Sequence, residues 1–585
     1  MDSKHVAQEV VRHRASSPIS LLSTETLEAV FELICDSSPL TTSALTLVNR
    51  AFYDSARYFR DRNQTFFLEG IDGKQSTYFC PISAARLEAL LSGPLSNVRT
   101  LRYITISSRV VRRDRQTLPQ VRDILDSRLT PNHSVSNELK FAPIARLIAK
   151  TPKLKSLTFE AYEQIPLCIM EALQCYHPNA ELHIRNWTRT SQGEGHNDPA
   201  ELALSQSPNL RSIEANMGNR EAGFDLRRPA LRRIVALAPS LEMVDISNKN
   251  TTNSFPPFEP VSEMWLEQQQ RSDHFKVANP SSNSVKILKS QGGDDVSYLS
   301  NVTALEMLET LEVCHNPFVF GYQVGASFTN NNQENRFPSL KHLSVKPDVH
   351  NGWRWLNARQ ALTSFLMNLQ PLRSLQLSNC AHLLPAYTTF LFHHGAHLRI
   401  LILHEAETQH GRGDKRPIEV DQIWRNCPNL MEIGIDIDTS VDGAEELNIL
   451  RQLAKFPFLA TIGLHFGLTR NQFTVTNPFH RGYLGKTLQE SSWVENIWGV
   501  LREHKTKRES AALQKVVITM GELNCSIPRG ITEFWIKWEA ENRVQIVATP
   551  SDRDDGANEI VVITKVKEEH AVRTRRQIPL ATTYL

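Results

Sequence analysis

A short apolar pattern recurs along most of the chain, and it limits the possible folds more than any other feature of the sequence. Each copy has two apolar residues separated by two positions and a third apolar residue two positions later. In the second half, successive copies are 32, 26, 32 and 29 residues apart and begin at Leu340, Leu372, Leu398, Leu430 and Leu459. Such a period accommodates one helix, one turn and one short strand. The pattern therefore predicts an array of α/β units that bury their apolar faces against one another.

Copies of this triplet occur in both halves of the chain, and a Pro often precedes them, where it ends a helix and fixes the turn. A weaker copy contains Leu182 and Ile184. An alternative, a doubly wound sheet with independent domains, fits the alternation of helices and strands but not so regular a strand motif. Apart from the weaker copy at Leu182 and Ile184, the complete set of triplets is Leu101, Ile104, Ile106; Leu154, Leu157, Phe159; Leu210, Ile213, Ala215; Leu241, Val244, Ile246; Leu308, Leu311, Val313; Leu340, Leu343, Val345; Leu372, Leu375, Leu377; Leu398, Leu401, Leu403; Leu430, Ile433, Ile435; Leu459, Ile462, Leu464; and Leu513, Val516, Ile518.

The triplet resembles the leucine-rich repeat, whose pattern is L-x-x-L-x-L-x-x-N/C. Asn316 and Cys380 keep the last element, and most other copies lack it. The resemblance implies an α/β solenoid, with a curved parallel sheet and helices outside, over residues 80–550. Polar stretches interrupt the repeats and are expected to form loop insertions near 250–284, 321–336, 405–419 and 468–492.

The N-terminal region has a different character. Residues 1–17 are polar and predict a flexible tail, whereas residues 18–66 predict three short helices. In the first of these, Leu27, Val30, Phe31 and Ile34 recur at helical spacing and form one apolar face. Three helices in so few residues are marginal alone and need another domain to pack against.

This segment resembles an F-box. Its Leu22-Ser23, Glu25, Leu27 and Val30-Phe31 follow the first half of the family pattern, and the stretch from Leu45 to Phe52 follows the second. It departs from that pattern at Ser23, where the family usually has Pro, and at Asn49, where it often has Cys. The alternative is a generic three-helix cap. The resemblance implies contact with an adaptor protein through Leu22, Ser23, Leu27, Phe31, Leu47, Val48, Asn49, Arg50 and Phe52, of which Leu27, Phe31 and Phe52 are the residues more suited to holding the module together.

The combination of these two modules resembles the F-box substrate receptors. In that family the F-box binds a Skp-type adaptor on the cullin scaffold of an SCF-type ubiquitin ligase, and the repeats bind the target protein. The resemblance implies a non-catalytic subunit without a cofactor. The alternatives are a repeat scaffold with no role in ubiquitin transfer and, less favoured, an enzyme within an α/β fold.

The strand pattern also predicts a binding face. Because alternate strand residues lie on opposite faces, the residue between the last two apolar positions should face out of the concave sheet. The early positions are acidic and the later ones small or apolar, so we expect a partner that brings basic residues to the first half. The full set is Thr158, Glu214, Asp245, Glu312, Ser344, Gln376, Ile402, Gly434 and Gly463, from which Glu214, Asp245, Glu312 and Gln376 are the predicted target-binding residues.

The remaining motifs predict neither a metal site nor a nucleic-acid site. His393 and His397 have the spacing of a helical zinc pair, and His394 lies between them, but no third ligand is evident, so a helix end is the favoured interpretation. The loop from Asp438 to Gly443 begins like a calcium loop but has Ile449 at its twelfth position. The basic run 109–115 is interrupted by an acid and has no aromatic platform, so nucleic-acid binding is not expected.

Composition limits the cellular setting. The chain has 585 residues and a net charge of +2. This nearly balanced charge argues against a protein that binds nucleic acid over its whole surface. The cysteines are scattered and no apolar run is long enough for a membrane span, so we expect a cytoplasmic or nuclear protein. Residues 551–585 are charged and are expected to form a disordered tail.

Overall fold

The computed structural model describes residues 26, 30–31, 62–69, 78–94, 96–109, 133–161, 163–187, 198–215, 227–246, 285–290, 303–314, 337–346, 355–380, 387–405, 420–437, 444–466, 493–506, 513–520, 544–550, 559–567 and 570–577. The chain forms two compact units. The first contains Met1–Ile213 with Ala238–Ser240, and the second contains Glu214–Leu237 with Leu241–Leu585. In the described part of the chain, no helix is both long enough and apolar enough to cross a membrane.

The first unit alternates strands and helices. In chain order its elements are β1 (Asn63–Glu69), β2 (Tyr78–Phe79), α1 (Pro81–Ser92), α2 (Ser96–Arg99), β3 (Tyr103–Arg109), α3 (His133–Lys150), β4 (Ser156–Glu160), α4 (Leu167–Tyr176), β5 (Glu181–Trp187) and α5 (Pro199–Gln206). Strands β1, β3, β4 and β5 are parallel, and β2 pairs antiparallel with β1. The next strand, β6 (Leu210–Ala215), contains the boundary between the units.

The core of the first unit lies between this sheet and its helices. Leu157 on β4 is in register with Ile104 on β3 and Leu182 on β5, and all three are fully buried. Phe141 of α3 packs against Phe159 of β4 with ring centroids 5.8 Å apart. The strand residues Ile104, Leu157, Phe159 and Leu182 belong to the predicted triplets, so the triplet defines the buried face of these strands.

Strand β1 begins earlier than expected. It starts at Asn63, inside the range 18–66 that was predicted for the N-terminal helical module, and before residue 80, where the repeats were expected to begin. Phe66 and Leu68 are its fully buried positions. The two-residue alternation of these apolar side chains explains the strand, although the segment lacks the leucine triplet.

The second unit continues the alternation. Its elements are α6 (Arg227–Leu237), β7 (Met243–Asp245), β8 (Ile287–Ser290), a 3₁₀ turn (Leu305–Met307), β9 (Thr310–Cys314), β10 (His342–Lys346), α7 (Trp355–Asn368), β11 (Ser374–Ser378), α8 (Tyr387–His394), a 3₁₀ turn (Gly395–His397), β12 (Ile400–His404), α9 (Val420–Asn426), β13 (Glu432–Ile437), α10 (Ala444–Leu453), β14 (Thr461–Phe466), α11 (Trp493–Thr506), β15 (Lys515–Met520), β16 (Val544–Pro550), β17 (Glu559–Lys567) and β18 (His570–Gln577).

Strands β7 to β15 are parallel, and equivalent triplet residues lie side by side across them. The middle apolar position forms one continuous buried row, made of Val244, Leu288, Leu311, Leu343, Leu375, Leu401, Ile433, Ile462 and Val516. The predicted α/β class is therefore confirmed: most of the strands are parallel, and the fold is compatible with a solenoid-like arrangement.

The C-terminal strands differ from the prediction. Strands β15, β16, β17 and β18 pair antiparallel, so residues 559–567 and 570–577 form strands where a disordered tail was expected for 551–585. The run Ile560-Val561-Val562-Ile563 consists of β-branched residues, which favour extended structure. The charged residues around this run favour disorder, but in the folded chain the β-branched run and its strand pairing prevail.

Candidate functional site

The predicted adaptor contacts fall almost entirely outside the described residues. Leu22, Ser23, Leu27, Leu47, Val48, Asn49, Arg50 and Phe52 all lie there. Phe31 is described: it is helical and only 1% exposed, whereas its neighbour Val30 is 40% exposed. Whether Phe31 contacts an adaptor or holds the module together stays a prediction, because the rest of the module lies outside the described residues.

The predicted target-binding face is a row of residues across the strands. In the second unit, register places Asp245, Lys289, Glu312, Ser344, Gln376, Ile402, Gly434 and Gly463 side by side. Lys289 does not follow from the strand pattern, because the triplet on β8 ends in Ser290 instead of an apolar residue. The described row of this unit therefore begins acid, base, acid and is not uniformly acidic.

The individual positions of this row are more enclosed than expected. Asp245 was predicted to face outward, but it is 1% exposed and belongs to the buried part of the unit. Glu312 lies 3.4 Å from Lys289 and forms an ion pair within the row. Gln376 is half-buried, as is Glu214 in β6. The alternation of side chains along a strand predicts the face of the sheet on which a residue lies. It does not predict how far that residue is buried.

The apolar half of the row is filled by its own side chains. A Cβ atom on Gly434 would lie 3.0 Å from Cγ2 of Ile402, so the isoleucine occupies the space above the glycine. Gly463 has more room, since its nearest neighbour would be Cα of Gly434 at 3.4 Å. The lack of a side chain at Gly434 therefore leaves the space that Ile402 of the adjacent strand occupies.

A polar cluster marks the carboxyl ends of β12, β13 and β14. His404 Nδ1 lies 2.8 Å from Asp436 Oδ1, and the main-chain nitrogen of Glu405 donates to Asp436 Oδ2 at 2.7 Å. The rings of His404 and His465 are 4.1 Å apart between centroids. The side chains of His404 and Asp436 are only 8% and 4% exposed. A carboxylate that binds an imidazole in this way fixes the orientation and tautomer of the ring.

The sequence contains a signal for this polar cluster in the spacing of its three residues. His404, Asp436 and His465 each follow directly after the last apolar residue of three consecutive triplets, at Leu403, Ile435 and Leu464. Register makes such equivalent positions neighbours. In the described part of the chain, no group of three or more His, Cys, Asp or Glu side chains is arranged to hold a metal ion.

The histidines near the end of α8 bind the backbone. The main-chain nitrogen of Leu372 donates to His394 Nδ1 at 3.3 Å, and His394 Nε2 lies 2.9 Å from the oxygen of Leu366. His393 Nε2 lies 2.8 Å from the oxygen of Leu369. Both rings therefore tie α8 to the end of α7, which agrees with the interpretation of this segment as a helix end.

Comparison of the sequence with protein-family models gives no match, and comparison with curated proteins gives none either. The resemblance to F-box and leucine-rich-repeat proteins therefore rests on the residues quoted above.

Proposed function

We propose that this protein is the substrate-recognition subunit of an SCF-type ubiquitin ligase. Residues 18–66 bind a Skp-type adaptor, which connects the protein to a cullin scaffold, and the repeats bind a target protein. The observation that carries the proposal is the combination of the F-box-like pattern between Leu22 and Phe52 with repeated triplets on parallel strands.

The contacts of Cys380 support a leucine-rich-repeat assignment for the strands. Cys380 occupies the N/C position of the repeat pattern, three residues after Leu377. Its Sγ donates to the main-chain oxygens of Val345, 3.7 Å away on the preceding strand, and Ser378, 3.2 Å away. Burial raises the pKa of the Cys380 thiol well above its usual range, so the group stays protonated and remains a donor. A buried donor at this position satisfies carbonyl groups where the chain leaves the strand.

In this role the protein contributes proximity and no bond-making group of its own. A receptor that holds the target beside a ubiquitin-conjugating enzyme raises the local concentration of the target's lysines, which replaces a bimolecular encounter by an intramolecular one. Parallel repeats suit this task because they present a rigid, extended surface.

Co-purification with a Skp-type adaptor tests the proposal. We expect the full-length protein to retain the adaptor, and a Leu22→Ala/Val48→Ala variant to lose it. A matched control is Ile82→Ala/Phe392→Ala, which removes apolar side chains that are 82% and 84% exposed outside the module. If the full-length protein and the Leu22→Ala/Val48→Ala variant equally fail to bind, the ubiquitin role is wrong and a repeat scaffold is the better description.

A further inference from the structure

A groove lies at the amino-terminal ends of strands β10 to β15. Its volume is about 970 Å³. One residue just before each strand contributes to its wall, and these residues are Lys341, Arg373, Arg399, Met431, Ala460 and Gln514. Each main-chain nitrogen, from Arg373 onward, donates to the oxygen of the previous member at 2.8 or 2.9 Å. The six residues therefore follow one another at the spacing of the strands.

One half of the groove is basic. Lys341, Arg373 and Arg399 are consecutive in the wall, and no carboxylate is among the described lining residues. Lys341 is paired at the outer end with Glu309, 3.1 Å away. Arg373 and Arg399 are exposed, and neither forms an ion pair with a described residue. Burial, and after it the positive charge of Arg373, lowers the pKa of the neighbouring His342, although the carboxylate of Glu309 acts in the opposite direction.

The other half is apolar. Met431 and Phe458 are 46% and 52% exposed, and both line the groove. Exposed methionine and phenylalanine side chains that share a groove are typical of a surface that a partner covers. The order along the wall is thus two exposed arginines, then Met431, then Phe458 on the turn before β14.

The dimensions of the groove indicate the size of its ligand. Six strands at a spacing of about 4.8 Å span about 24 Å, which corresponds to about seven residues of extended chain at about 3.3 Å each. The step from Arg399 to the turn before β14 crosses two strand spacings, about 10 Å, or about three residues of such a chain.

We propose that this groove binds an extended, acidic segment of a partner protein. Two carboxylates of the segment pair with Arg373 and Arg399, and an apolar side chain about three residues away covers Met431 and Phe458. A single-stranded nucleic acid fits less well, because such grooves carry several stacking aromatics and Phe458 is the one Phe, Tyr or Trp among the described lining residues, with His397 the other ring. Peptide binding in this groove does not depend on adaptor binding. Either proposal can therefore fail while the other holds.

Selection of displayed random seven-residue peptides on the immobilised full-length protein tests the proposal. We expect enriched peptides with two acidic residues and an apolar residue about three positions away. For an enriched peptide, fluorescence polarisation should show at least about tenfold weaker binding to Arg373→Gln/Arg399→Gln. Met431→Ser/Phe458→Ser should weaken binding as well. The matched control is Arg425→Gln/Arg451→Gln, which changes two exposed arginines on α9 and α10 and should leave the affinity within about twofold.

Circular dichroism melting of each variant separates a lost contact from a lost fold. The proposal is overturned if selection enriches no acidic residues. A segment of the same chain that filled the groove would also give this result. The proposal is equally overturned if the arginine variant keeps full affinity while folded, or if a single-stranded RNA oligonucleotide binds the groove more tightly than the selected peptide.

Discussion

His394 donates a hydrogen bond from Nε2 to the main-chain oxygen of Leu366, 2.9 Å away. The direction follows from the other ring nitrogen, because Nδ1 accepts from the main-chain nitrogen of Leu372 and so carries no proton. The fully buried ring is therefore neutral in the folded protein. Burial, and after it the neighbouring His393, lowers the pKa of His394 from 6.5 to about 4.

This relationship makes stability depend on pH. Between pH 6.5 and about 4 the unfolded chain binds a proton at this position and the folded chain does not. The contribution of His394 is thus complete above pH 6.5 and is lost as the pH falls toward 4, by roughly 3 kcal/mol over that window. Urea denaturation at several pH values measures it. We expect His394→Gln to flatten the dependence and the exposed-site variant His397→Gln to keep it; an unchanged slope in His394→Gln contradicts the assignment.

The turn before β6 depends on a buried amide. Asn209 is 1% exposed, and its Nδ2 donates to the oxygens of His177, Pro178 and Ala180 at 2.9, 3.1 and 2.8 Å. Asn209→Asp sets a carboxylate against these three carbonyl oxygens and should destabilise the protein by about 3 kcal/mol or more.

Asn429 provides the control, since it also follows Pro and precedes the first leucine of a triplet. It is exposed and donates to one carbonyl, that of Ala396, at 2.8 Å. Asn429→Asp should therefore cost less than about 1 kcal/mol in thermal unfolding. Equal costs for the two substitutions would show that the burial of Asn209 is not what makes it important.

The buried row of the second unit predicts a sharp difference between adjacent residues. Leu343 is 1% exposed, and it lies between Leu311 and Leu375. Leu343→Asp buries an unpaired charge and should cost more than about 4 kcal/mol or prevent folding. Ser344→Asp changes the half-buried opposite face and should cost far less. Calorimetric unfolding that gives similar transition temperatures for wild type and Leu343→Asp would mean that Leu343 does not face the core.

Two glycines differ in the space around them. A Cβ on Gly395 would lie 2.4 Å from the main-chain oxygen of Asn426, so the backbone must move to accept alanine. On Gly463 the nearest atom would be 3.4 Å away, which is ordinary contact. We expect Gly395→Ala to destabilise the protein by about 2 kcal/mol or more and Gly463→Ala to lie within about 1 kcal/mol of wild type. Chemical denaturation of the two variants checks this; equal stabilities would contradict the close approach at Gly395.

Most strands of the sheet were predictable, because the apolar triplets show both how far apart the strands lie in sequence and which side of each strand is buried. Strand β8 was missed, since the hydroxyl of the fully buried Ser290 replaces the third apolar residue. Strand β1 was missed because Phe66 and Leu68 alternate without a leucine triplet around them. Strands β17 and β18 were not predicted, because charged residues surround the β-branched run of β17.

The candidate sites were less predictable, because they depend on which parts of distant repeats become neighbours. Alternation placed Asp245 on the correct row but could not report its burial. The contact of His404 with Asp436 needs the register of two strands that lie 32 residues apart in sequence. The groove at Arg373 and Arg399 lies on turns, where the strand pattern carries no information about exposure.

The most direct test of the proposed function is the mass of the species formed by the purified full-length protein and a purified Skp-type adaptor. Size-exclusion chromatography with light scattering on an equimolar mixture measures it. The F-box-like module predicts one peak with the summed mass of one copy of each protein, and loss of that peak in Leu22→Ala/Val48→Ala. Two separate peaks at the masses of the free proteins would contradict the proposed role in a ubiquitin ligase.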